Sequence, residues 1–122
     1  MNWTAASAIA LALGVIIGAF GAHGLSGRLD AYFMSVYEKG VFYHFIHALG
    51  ALIVSLMPRA GALSEKAAAW VCALLLAGVV VFSGSLYALA ISGQLWLGAV
   101  TPVGGMSFIV GWTMLAWVLM RK

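Results

Sequence analysis

The sequence predicts an all-α fold, an integral membrane bundle of four transmembrane helices forming a single domain over residues 1–122. Two observations carry that reading. Residues 67–120 hold no charged side chain over 54 consecutive positions, and the whole chain has only six basic and three acidic side chains. Charged residues make up 7% of the chain, against about a quarter in a soluble domain, while 65% are hydrophobic.

The charges fall into islands that separate the spans. Residues 1–27 carry no side-chain charge, and Arg28, Asp30, Glu38 and Lys39 follow. Residues 40–58 are again uncharged, then come Arg59, Glu65 and Lys66, and the long run ends at Arg121 and Lys122. A membrane-crossing helix needs about 20 residues at a rise of about 1.5 Å each. The first two uncharged runs fit one crossing apiece. The third is too long for one helix and contains its own break, Ser92-Gly93-Gln94, followed by Thr101-Pro102, a turn and then a helix-initiating proline. The expected helices lie near 4–23, 36–57, 66–91 and 102–120.

Lys and Arg favour the cytoplasmic side of a membrane. With four spans, Arg59, Lys66, Arg121 and Lys122 share the side of both termini, while Arg28 and Lys39 lie opposite, offset by Asp30 and Glu38. Both termini are therefore expected in the cytoplasm of a multi-pass protein. Trp3, Trp70, Trp96 and Trp117 sit near expected helix ends, where indoles anchor at headgroups. The amino end lacks Lys or Arg, and Phe20-Gly21-Ala22-His23 makes a poor cleavage site, so the first helix is read as a retained span. The single cysteine, Cys72, excludes an intramolecular disulfide. The net charge of +3, divided between two membrane faces, points to anionic headgroups and not to nucleic acid.

Helices in a bilayer associate through close backbone approach and a few hydrogen bonds, because lipid is as apolar as their own side chains. Gly14, Gly18 and Gly21 supply a small-residue groove on the first helix, and Gly104, Gly105 and Gly111 on the fourth. Gly78 and Gly84 thin out the third. A compact bundle is expected, and a large substrate path through it would require oligomers.

The polar residues are expected to gather in the outer half of the bilayer. His23 ends the first helix, and Tyr37, Gly40, His44 and His47 are spaced to share one face of the second. Ser83, Ser85 and Tyr87 bring the third helix to that level, and Thr101-Pro102 opens the fourth there. An unpaired polar group in hydrocarbon costs several kcal/mol, so these side chains should face inward and bond one another. Tyr37, Ser83, Ser85, Tyr87 and Thr101, with the histidines, are the candidate ligand-binding residues. His23, His44 and His47 are the candidate metal ligands, since three imidazoles suit zinc, copper or iron. No intramembrane Asp or Glu supports them from behind, and no acid orients a His toward Ser83 or Ser85 for nucleophilic catalysis. No glycine loop of the phosphate-binding kind is present.

The strings Gly18-Ala-Phe-Gly-Ala-His23-Gly-Leu25, Tyr43-His44-Phe-Ile-His47, Phe82-Ser-Gly-Ser-Leu-Tyr87, Thr101-Pro-Val-Gly-Gly105 and Phe108-Ile-Val-Gly-Trp112 resemble, in order, those of one family. It is the small bacterial membrane proteins of domain of unknown function 423, similar to eukaryotic transmembrane protein 256. The resemblance implies a four-span inner-membrane protein and supplies no activity. Its signature positions correspond here to His23, His44, His47, Ser83, Ser85, Tyr87, Thr101 and Pro102.

Three functions compete. The first is a non-enzymatic scaffold or lipid- or partner-binding component, working with membrane lipids, further copies of itself or another membrane protein. The second is a metal ion, haem or small ligand held by His23, His44 and His47; the sequence names no cofactor. The third is a small oligomeric transporter, resembling four-span exporters in size but lacking their membrane-embedded carboxylate.

Overall fold

The computed structural model describes residues 1–121. Four helices long and apolar enough to cross a membrane account for nearly all of them: α1 (Trp3–Leu25), α2 (Ala31–Ala60), α3 (Glu65–Ser92) and α4 (Leu95–Met120). Among the described residues there is no strand.

The helix ends follow from local chemistry. Asn2, Asp30 and Ser64 each cap a helix, accepting from the backbone N–H of Ala5, Phe33 and Ala67 at 2.9–3.1 Å. A side-chain acceptor at that place satisfies one of the orphan donors of the first turn. The Asp30 cap explains why α2 starts at Ala31 and not near residue 36. Its first turns run through the charged pair Glu38 and Lys39, which stay exposed. Gly61 and Gly93 close α2 and α3 at φ 73°, a left-handed conformation that side chains with a Cβ resist.

All four helices depart from plain α geometry, α2 by ending in the 3-10 turn Met57–Ala60. α1 ends in a π-helical turn at Gly21–Leu25, and α3 carries another at Val79–Ser83. α4 opens as a 3-10 turn, Leu95–Ala99, before the α-helix begins at Thr101 with Pro102 in its first turn. That proline lacks only a donor that would be unsatisfied anyway.

α2 and α3 form the middle of the bundle, with 39% and 44% of their membrane windows buried, against 17% for both α1 and α4. α1 packs mainly along α2 and meets α3 within Glu65–Gly78; α4 packs along α3. The main core, built from Ala51, Val54, Val71, Cys72, Leu75 and Phe108, lies between the inner helices and α4. A smaller one, Leu25, Tyr37 and Ala90, lies at the end away from the termini, here called the distal end.

Small residues set these distances, though not all the expected ones. A methyl group on Gly14 would press on His44 and Phe45 at 3.2–3.3 Å, and one on Gly111 on Leu74 and Leu75 at 3.1–3.2 Å. One on Gly21 would collide with the Tyr37 ring, and one on Gly104 with the backbone of Phe82. Gly18 and Gly105 are looser, with nearest neighbours at 3.5 and 3.7 Å. A methyl group on Gly105 would reach only the Phe82 ring of α3, at ordinary contact distance. A methyl group on Gly84 would meet nothing within 4 Å, so this glycine thins α3 without packing against a partner. Gly40 and Gly50 close-pack instead, against Tyr87 and Trp112.

Candidate functional site

His44 stands near the midpoint of α2 and is 4% exposed. Both ring nitrogens are engaged. Nε2 lies 2.7 Å from the Ala10 carbonyl of α1, and Nδ1 lies 2.9 Å from the Tyr87 hydroxyl of α3. A carbonyl oxygen only accepts, so Nε2 carries the proton; in the neutral imidazole Nδ1 is then an acceptor, and Tyr87 donates to it. Three helices are joined through one ring. The antiparallel run of α2 and α3 makes this reach possible, because helical side chains lean toward their own N-terminus. His44 leans toward the distal end and Tyr87 leans away from it, so they meet.

The other polar side chains bond to neighbouring helices. Tyr37 donates to the Ile17 carbonyl at 2.6 Å, and Ser83 to the Gly40 carbonyl at 2.7 Å. Ser85 and Thr101 share a hydrogen bond at 2.6 Å, which ties α3 to the start of α4. Ser107 donates to the Leu74 carbonyl at 2.6 Å and repeats that tie one level lower. Among the described residues, no buried side-chain nitrogen or oxygen lacks a partner.

The three histidines do not form one site. His47 turns to α4, where its ring stacks on Phe108 at 3.5 Å between centroids, and its Nδ1 donates to the Tyr43 carbonyl at 2.8 Å. Residues three apart on a helix are about 60° apart around its axis, which here separates the neighbours of His44 from those of His47. His23 lies exposed in the terminal turn of α1. Among the described residues no three His, Cys, Asp or Glu side chains are grouped to hold a metal ion. The expected three-imidazole centre is thus corrected: spacing within α2 was compatible with it, and the neighbouring helices divide it.

The expected concentration of polar groups in one half is also only partial. Tyr37, Ser83, Ser85, Tyr87 and Thr101 lie in the distal half, but His44 is central and His47 lies beyond the centre. Near the termini Thr4 donates to Ser55 at 3.0 Å and Ser7 is fully buried, donating to the Trp3 carbonyl. These serines and threonines leave little trace in sequence, because a hydroxyl in a helix can satisfy itself on its own backbone.

Two apolar clefts flank α1. One, of about 520 Å³, lies between α1 and α2 and reaches Glu38; the other, of about 400 Å³, lies between α1 and α3, with His44 and Tyr87 in its lining.

Four apolar helices joined through satisfied intramembrane hydrogen bonds define a small multi-pass membrane protein. The model of the family "Protein of unknown function (DUF423)" matches residues 17–105, and the chain belongs to that family. It is similar to the UPF0382 membrane protein SH2409 of Staphylococcus haemolyticus, 47% identical over 108 residues, covering 88% of this chain and 86% of that protein. It is likewise similar to the UPF0382 membrane protein YwdK of Bacillus subtilis, 44% identical, covering 88% and 87%. No solved structure matches.

Proposed function

We propose that this protein is a non-enzymatic, lipid-binding component of the bacterial cytoplasmic membrane, with both termini in the cytoplasm. The observation that carries the reading is the closed state of His44. An imidazole with both nitrogens bonded inside the bundle is a fastener, with no free position for a metal ion or a reacting group. The two acids within the spans, Glu38 two turns into α2 and Glu65 at the start of α3, are both exposed, which disfavours proton-coupled transport. The clefts beside α1 open toward acyl chains, the molecules that surround the bundle on every side. Orientation rests on Arg59, Lys66 and Arg121 at the terminal end, to which Lys122 adds in sequence.

The test is one preparation of the full chain, expressed with metals and haem precursor supplied and purified in mild detergent. Elemental analysis, an optical spectrum and native mass spectrometry are run on it. Retained lipid without stoichiometric metal or haem absorbance is expected. One equivalent of metal or haem per chain would overturn the reading.

A further inference from the structure

At the terminal end of the bundle α1, α2 and α3 meet around a small polar cleft of about 150 Å³. Thr4 and Ser55, bonded to each other at 3.0 Å, join α1 to α2 in its lining, and Ala68 of α3 leaves room beside them. Two opposite charges line it as well. Arg59 comes from the 3-10 turn that ends α2, and Glu65 is the first residue of α3. The two form no salt bridge with each other, although one cleft holds both. Trp3 lines the same cleft, and an indole at a helix end marks the depth of the lipid headgroups.

Resting on the lipid-binding reading above, we propose that this cleft holds the headgroup of an ethanolamine phospholipid, its phosphate on Arg59 and its ammonium on Glu65. Charge and size choose that occupant. The guanidinium fork matches two phosphate oxygens, and a primary ammonium brings three N–H donors to a carboxylate. One headgroup carries both charges, so it meets both side chains at once. A glycerol headgroup brings the phosphate without a cation and sets a net anion against Glu65. A choline headgroup keeps the positive charge but has no N–H, and its methyl groups need more space. The cleft has room for about five waters at about 30 Å³ each, so the acyl chains stay in the surrounding bilayer.

The full chain in mild detergent is titrated, by native mass spectrometry, with dimyristoyl phospholipids that differ only in headgroup: ethanolamine, choline or glycerol. One ethanolamine lipid per chain is expected, about tenfold tighter than either of the others, the scale of one hydrogen bond to a charged group. Glu65→Gln should remove the advantage over choline and strengthen binding of the glycerol lipid, whereas Arg59→Gln should weaken all three. Both side chains are exposed, so circular dichroism should not change in either variant. Lys66→Gln alters a charge that lines a separate hollow with Trp70, and should leave the order of headgroups intact. Equal affinities in the parent protein, an order that survives both cleft variants, or one that Lys66→Gln abolishes would each overturn the proposal. Displacement of the lipid by water-soluble ethanolamine phosphate would overturn it too, since the ligand would then be a free solute. Phospholipid retained without headgroup preference would leave the broader lipid-binding reading standing, whereas one equivalent of metal or haem would remove that reading whatever order the headgroups take.

Discussion

Gly104 of α4 and Phe82 of α3 touch backbone to backbone. A methyl group on Gly104 would stand 2.7 Å from the Phe82 Cα and closer still to its nitrogen. This contact falls within the π-helical turn Val79–Ser83, so the wide turn of α3 and the missing side chain of α4 meet at one level. Backbone atoms cannot rotate aside as the end of a side chain can. Gly104→Ala should therefore cost about 3 kcal/mol or more, at the upper end for overpacking. Gly105→Ala, whose nearest neighbour would be 3.7 Å away, should be close to neutral. Thermal unfolding of the two variants in the same detergent checks the pair.

Removing His44 severs the tie between α1, α2 and α3. His44→Ala loses two hydrogen bonds and leaves a cavity beside Gly14, which together should cost about 2–4 kcal/mol and lower folded yield. Tyr87→Phe strands Nδ1 alone and should cost about 1 kcal/mol. Unfolding midpoints rank the two. An effect of Tyr87→Phe as large as that of His44→Ala would show that the Ala10 bond contributes little.

Cys72 is fully buried and its thiol donates to the Ala51 carbonyl at 3.3 Å. It should resist maleimide in the folded protein and react after denaturation, which leaves it silent in a labelling experiment. Single cysteines at Gly61 and at Ser26 then report the two membrane faces. In intact cells an impermeant maleimide should label Ser26→Cys and spare Gly61→Cys. The reverse pattern would invert the proposed orientation.

The left-handed glycines make a smaller prediction. In Gly61→Ala and Gly93→Ala the backbone must hold a side chain with a Cβ at φ 73°. Each should cost about 1 kcal/mol, read by the same thermal unfolding.

Spacing along α2 already tells which of its residues face inward, and the point where that reading stops is informative. Tyr37, Gly40, His44 and His47 do lie on the buried side of α2, since spacing along one helix fixes angles around that helix. Which neighbour fills each angle is another matter. His44 meets α1 and α3 while His47 meets α4, and nothing within α2 records how the other helices stand around it. Gly84 shows the same limit. A glycine in a span reads as a packing contact, and only the position of α1 reveals that this one borders a cleft.

The sequence alone determined the class, the number of spans and most of their ends, because a bilayer sets length and apolarity for each crossing and the charges must sit outside. Asp30 and Ser64 fixed helix starts by chemistry local to a few residues. Only the tertiary structure decided that the histidines part company, that Gly104 rather than Gly105 seats α4, and that His44 spends both nitrogens on its neighbours. Those outcomes depend on the relative rotation and depth of separate helices, which are set by packing between surfaces far apart in the chain.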